Sequence, residues 1–106
     1  MATQLADRDA PPQRAKDLRL VFFHSDTSGR CRRVEGFIAQ VLQRRRNHET
    51  FGVVPVSQEK QPEVFTRFGV DKVPTLVVIE DKAVRRKLEM PRSCREIELF
   101  LAPWLK

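Results

Sequence analysis

The sequence predicts an α/β sandwich in which a central mixed sheet is flanked by helices, and three observations predict it. Leu18–Phe23 and Thr75–Ile79 are short, nearly continuous apolar runs, the pattern of strands buried on both faces. A stretch with helical apolar spacing, Cys31 to Leu42, separates them, and a second one, Ile97 to Leu101, closes the chain. The resulting order of strand, helix, strand, helix, strand, strand, helix is that of a two-sided layered domain.

Each element has its own local reason. Met1–Asp17 contains Ala10-Pro11-Pro12-Gln13 and almost no large apolar residue, so it is expected to be a polar, flexible tail, with the domain occupying 18–106. After the first strand, Asp26, Thr27 and Ser28 offer helix-capping side chains. Cys31, Val34, Ile38, Val41, Leu42 and Arg45 then recur on one helical face, with Phe37 beside it and Gly36 expected to bend the helix or admit a close contact. Arg44-Arg45-Arg46 complements the carbonyl end of that helix, and Asn47 is read as its stop. Phe51–Val56 is a second strand, placed at an edge or strand end by Pro55. Gln61–Phe68 is a short helix with Pro62 in its first turn and Gly69 closing it. Glu80-Asp81-Lys82 turns the chain into a charged edge strand, Ala83–Leu88. Ser93-Cys94-Arg95-Glu96 matches a capping box and starts the last helix, near whose end Trp104 packs.

At 106 residues the chain can build one modest core. It has no apolar stretch long enough to span a membrane and no apolar block like that of a secretory signal, so a cytoplasmic location is expected. Cys31 and Cys94, far apart in sequence, are expected to be reduced thiols. No Cys-x-x-Cys or paired histidine set joins Cys31 and His24, so no metal site and no cofactor is expected. The net charge of +6 keeps nucleic acid and acidic proteins open as partners.

The segment Val21-Phe22-Phe23-His24-Ser25-Asp26-Thr27-Ser28-Gly29-Arg30-Cys31-Arg32 resembles the active-site segment of the thioredoxin family. Phe68-Gly69-Val70, followed by Val73-Pro74-Thr75-Leu76, resembles the family's second signature. The likeness covers 18–106 and implies a thioredoxin-like sandwich whose first strand and helix are absent or degenerate in the tail. It implies a cis Val73–Pro74 bond and a groove in which the Val73 backbone pairs with an extended partner peptide, a form of strand addition. It also sets the expected partner-binding residues: Ser28, Gly29, Arg30, Val73, Pro74 and Thr75.

The departures from the family decide the expected chemistry. Ser28 stands where the family has its exposed nucleophilic cysteine, and Cys31 where it has the recessed one. Phe22 takes the place of a buried aspartate, His24 and Thr27 those of two tryptophans, and Arg30 that of a proline. Ordinary dithiol–disulfide reductase turnover is therefore not expected. Ser28 has no paired base in the sequence and reads as a helix cap occupying a degenerate nucleophile position. Cys31 has two readings: a small buried apolar residue, or a thiolate favoured by the helix start and by Arg30, Arg32 and Arg33. Ser-x-x-Cys is also similar to the chaperedoxin group, whose retained cysteine forms mixed disulfides with client proteins; carried onto Cys31, this gives the first functional reading. The alternative is a non-catalytic interaction module using the groove beside Pro74. The third is a basic domain docking on nucleic acid or a ribonucleoprotein through weak, salt-dependent phosphate contacts. Cys94 is read as an ordinary residue that does not bridge to Cys31.

Overall fold

The computed structural model describes residues 17–44, 47 and 50–105. Most of the expected tail, residues 1–16, lies outside them, as do Arg45 and Arg46. Asp17 belongs to the body: its amide donates to Asp81 Oδ1 at 2.9 Å, and its carbonyl accepts from the Asp81 amide at 2.8 Å.

Among the described residues, four strands and three helices follow in the expected order: β1 (Leu18–His24), α1 (Gly29–Gln43), β2 (Gly52–Ser57), α2 (Pro62–Phe68), β3 (Thr75–Glu80), β4 (Ala83–Glu89) and α3 (Cys94–Leu101). The strands form one sheet in the order β2-β1-β3-β4. β1 pairs parallel with β2 and antiparallel with β3, and β4 pairs antiparallel with β3. The sheet is mixed, as the sequence predicts. β2 is its outer strand among the described residues, so Pro55 sits on an edge. The β2 ladder begins at Gly52, one residue after the expected start, because Phe51 turns into the core and meets Trp104 edge-on at 6.4 Å.

The alternation of β1 and β3 builds two cores. Leu20, Phe22, Leu76 and Val78 point to one face, where α1 and α3 cover them. Val21, Phe23 and Val77 point to the other face and meet Phe65 of α2, with Phe23 and Phe65 edge-to-face at 5.0 Å. A central strand apolar at consecutive positions is what a sheet covered on both sides requires.

The caps largely follow the sequence. Gly69 closes α2 in the left-handed conformation at φ 66°, its amide donating to the Phe65 and Thr66 carbonyls. Asp81 and Lys82, at φ 52° and 71°, make the two-residue turn between β3 and β4. Asn47 ends α1 by a side-chain route, its Nδ2 donating to the Arg44 carbonyl at 2.6 Å. Gly36 admits no close contact: a methyl group there would meet no atom within 4 Å. Its face of α1 is open surface.

Candidate functional site

The residues joining β1 to α1 set where the sulfur of Cys31 lies. The Ser28 amide donates to the Ser25 carbonyl at 3.3 Å, which tightens the turn. Ser28 is the N-cap of α1, with extended backbone and its Oγ accepting the Cys31 amide at 3.2 Å. Capping in this register directs Cys31 inward, where it is 2% exposed and packs with Phe22, Val34 and Leu76. The Ser25 amide donates to Cys31 Sγ at 3.4 Å. Cys31 is thus buried among core residues, with its sulfur accepting a backbone hydrogen bond.

No base serves Ser28. Among the described residues its hydroxyl meets only the Cys31 amide. The nearby imidazole of His24 stacks on Phe22, with ring centroids 5.1 Å apart, and its Nδ1 lies 3.6 Å from Asp26 Oδ1. A cavity of about 170 Å3 beside this stack is lined by Phe22, His24, Asp26, Cys31 and Arg32, among others.

A polar clasp holds the β1–α1 loop against the turn after β2. Ser25 Oγ donates to Glu59 Oε2 at 2.5 Å, and the Asp26 amide donates to Glu59 Oε1 at 3.0 Å. Ser57 Oγ lies 3.0 Å from Asp26 Oδ2. The Ser25 hydroxyl first, and the Asp26 amide second, hold the Glu59 carboxyl down at about 2, below its ordinary 4.5. The sequence contains no signal for this clasp, because its members come from two loops that only the parallel β1–β2 pairing brings together.

The turn before β3 carries the second family signature. The Val73–Pro74 bond is cis, as the resemblance implies. Val73 is half-buried, and neither its amide nor its carbonyl is hydrogen-bonded within the described residues. Pro74 and Thr75, both expected to touch a partner, are fully buried. The Thr75 hydroxyl is used internally, donating to the Lys72 carbonyl at 2.7 Å. Of that trio, only Val73 has backbone left to offer a partner.

Sequence reasoning missed a third contributor, Met90-Pro91-Arg92. The Met90 amide donates to the Pro74 carbonyl at 2.7 Å, which ties the corner after β4 to the proline turn. Met90 takes this position at φ 50°. Across from the corner lie Arg30 and Arg33 on α1, and between them is a cavity of about 390 Å3. Buried Val34 and Pro91 and half-buried Phe37 and Met90 form its floor; exposed Arg30, Arg33 and Arg92 stand at its rim. The only sequence hint is a Met-Pro-Arg interruption between a strand and a capping serine, which says nothing about what it faces.

Cys94 does not approach Cys31 as a disulfide; both thiols are free. Cys94 Sγ lies 2.9 Å from Gln40 Oε1 and links α3 to α1.

A cysteine one turn into a helix that follows a central strand, set opposite a proline turn leading into an antiparallel strand, defines a thioredoxin-like fold. The thioredoxin family model matches residues 9–103, and the chain belongs to the thioredoxin family. That match begins inside the segment expected to be a tail. Among similar solved structures is desulfothioredoxin from Desulfovibrio vulgaris Hildenborough in its reduced form, with 26% identity and a TM-score of 0.72 over 82% of this chain and 81% of that one. Oxidised thioredoxin from Plasmodium falciparum matches 97% of this chain and 94% of its own at 14% identity and a TM-score of 0.73. Thioredoxin O2 from Arabidopsis thaliana in the oxidized state matches 84% of this chain and 76% of its own at 13% identity and a TM-score of 0.72. No curated protein matches the chain at a significant level.

Proposed function

We propose that this thioredoxin-family protein is an interaction module that holds an extended segment of a partner protein beside Val73 and the start of α1, without turning over disulfides. One pairing of facts carries this reading: the retained thiol of Cys31 is 2% exposed and packed in the core, while the half-buried Val73 has a main-chain donor and acceptor unused among the described residues. Main-chain pairing supplies affinity without any contribution from the sulfur. Ser28 in this reading is a cap.

Capture of partners from cells under reducing conditions tests it, using wild-type protein, Cys31→Ala and Gly29→Trp. Gly29 is exposed and a methyl group there would meet nothing within 4 Å, so a large side chain fits and covers the start of α1. Cys31→Ala should retain the partner set and Gly29→Trp should lose it. Identical capture by all three proteins would remove the groove from consideration.

A second reading, mixed-disulfide formation through Cys31, draws support from the cavity of about 170 Å3 that has Cys31 in its wall. Incubation of the reduced, folded protein with a small aromatic disulfide, followed by intact mass measurement, decides it. An adduct on Cys31 favours this reading; an unmodified Cys31 excludes it.

A further inference from the structure

The geometry points to an acidic partner: the cavity between α1 and the Met90–Arg92 corner receives an extended segment that places one apolar side chain on its floor and carboxylates at its arginine rim. This deepens the groove reading above and rests on it. The floor is apolar, from Val34, Phe37, Met90 and Pro91. Among the described residues, all three charged groups at the opening are arginines, and no carboxylate lines the cavity.

Several basic groups elsewhere on the surface are already paired. Arg44 pairs with Glu98 at 3.3 Å, Arg85 with Glu80 at 3.6 Å, and Lys87 with Glu89 at 3.7 Å. Arg86 donates to the Phe100 carbonyl at 2.8 Å. The guanidinium groups of Arg30, Arg33 and Arg92 have no such partner among the described residues. A guanidinium offers a planar set of donors suited to a carboxylate, and three of them converging on one opening make a selective field. The volume of about 390 Å3 is in the range that holds a large side chain, with an apolar anchor supplying affinity and the charged rim supplying selection.

The corner is also joined to the strand-addition site. The Met90 amide on the Pro74 carbonyl ties the corner that carries Arg92 to the turn that carries Val73. A chain running along Val73 therefore passes the arginine rim, and one ligand can satisfy both.

Fluorescence anisotropy with a labelled extended peptide, carrying one leucine flanked by glutamates, tests the inference. Replacing the glutamates by glutamine, or the leucine by serine, should each weaken binding about tenfold or more. Arg33→Glu and Arg92→Glu should weaken binding of the acidic peptide by a similar factor, and Arg67→Glu, on α2 under the other sheet face, should leave it unchanged. The inference is overturned if the glutamine peptide binds as tightly as the acidic one, or if Arg67→Glu costs as much as Arg92→Glu. It is overturned as well if leucine removal has no effect and single-stranded RNA displaces the peptide, which would make the rim a phosphate site. Gly29→Trp separates the two levels. Glutamine-peptide binding that matches the acidic peptide and is lost in Gly29→Trp leaves the groove standing and removes acidic selection; arginine-dependent binding indifferent to Gly29→Trp removes the groove and leaves the acidic site. No binding of any peptide removes both.

Discussion

Replacing Phe22 by aspartate puts back the residue type that the family resemblance expects at this position, and the packing sets what that costs. Phe22 is 5% exposed, lies in the same core cluster as Cys31, Val34 and Leu76, and stacks on His24. Truncating a buried phenylalanine costs about 3–5 kcal/mol. That is a large share of the roughly 5–15 kcal/mol by which a domain of this size is stable. Phe22→Ala should therefore lower Tm by more than about 12 °C, at roughly 4–8 °C per kcal/mol. Phe22→Asp should lose more, because a carboxylate is then held in an apolar cluster and its folded-state pKa rises above the roughly 3.9 of the unfolded chain. The sign follows from proton binding. Between those two pKa values the unfolded chain binds fewer protons, so the variant loses stability as pH rises from about 4 and regains it on acidification. Urea unfolding of wild-type, Phe22→Ala and Phe22→Asp protein at pH 4 and pH 7 measures both parts. The Asp-minus-Ala deficit should be small at pH 4 and larger at pH 7. A Phe22→Asp protein that melts within a few degrees of wild type at pH 7 would refute the assignment of Phe22 to the core.

Three further outcomes follow from the same geometry. Ser28→Cys alone should reduce insulin, with dithiothreitol as the electron source, at least about a hundredfold more slowly than a dithiol thioredoxin, since a positioned general base is worth roughly 10²–10⁴ and Phe22 supplies none; turnover within about tenfold of such a thioredoxin would contradict this. Gly36→Ala should stabilise the protein by about 0.5–1 kcal/mol in a thermal melt, because the position is exposed, mid-helix and free of neighbours. Glu59 contributes stability that is present above pH 4.5 and is lost as pH falls toward about 2, so the difference in urea midpoint between wild type and Glu59→Gln should shrink over that window; a difference constant from pH 6 to pH 2 would place the clasp outside the folded-state balance.

The fold was legible because its signals are local and agree with one another. Val21, Phe22 and Phe23 in succession demand a sheet covered on both faces, Ser28 and Ser93 mark helix starts, and Gly69 marks a helix end. The capping box is met with one change: Glu96 accepts from the Arg92 amide rather than from that of Ser93, which helps fix the corner carrying the arginine rim. The site was only half legible. Ser28, Cys31 and Val73 lie in contiguous motifs, whereas Glu59 reaches the β1–α1 loop through pairings 33 and 34 residues away, and Met90–Arg92 enter through the β4–α3 corner. The apolar pattern put Cys31 and Thr75 on buried elements, whereas the resemblance assigned both to the site; pattern alone does not say how far the start of a helix is enclosed. The side of the helix that faces the sheet decides, and it is the Ser28 cap that turns it.

The departures at 22 and 28 amount to one physical change. A recessed thiol paired with an exposed one needs a proton acceptor within reach, and a carboxylate at position 22 would meet that need at the expense of core packing. With serine at position 28 that need lapses. An apolar ring can then occupy the space, and burying it contributes about 1.5–3 kcal/mol that a carboxylate would forfeit. The hydroxyl of Ser28 keeps the cap, so α1 still begins at the same residue and still presents Gly29 and Arg30 at the surface. The groove depends on none of these substitutions. Its walls are held by the Met90 amide on the Pro74 carbonyl and by the Thr75 hydroxyl on the Lys72 carbonyl, contacts that do not involve the sulfur. The contacts that hold the proline turn and the corner after β4 are therefore separate from the sulfur, as the proposed partner-binding role without disulfide chemistry requires.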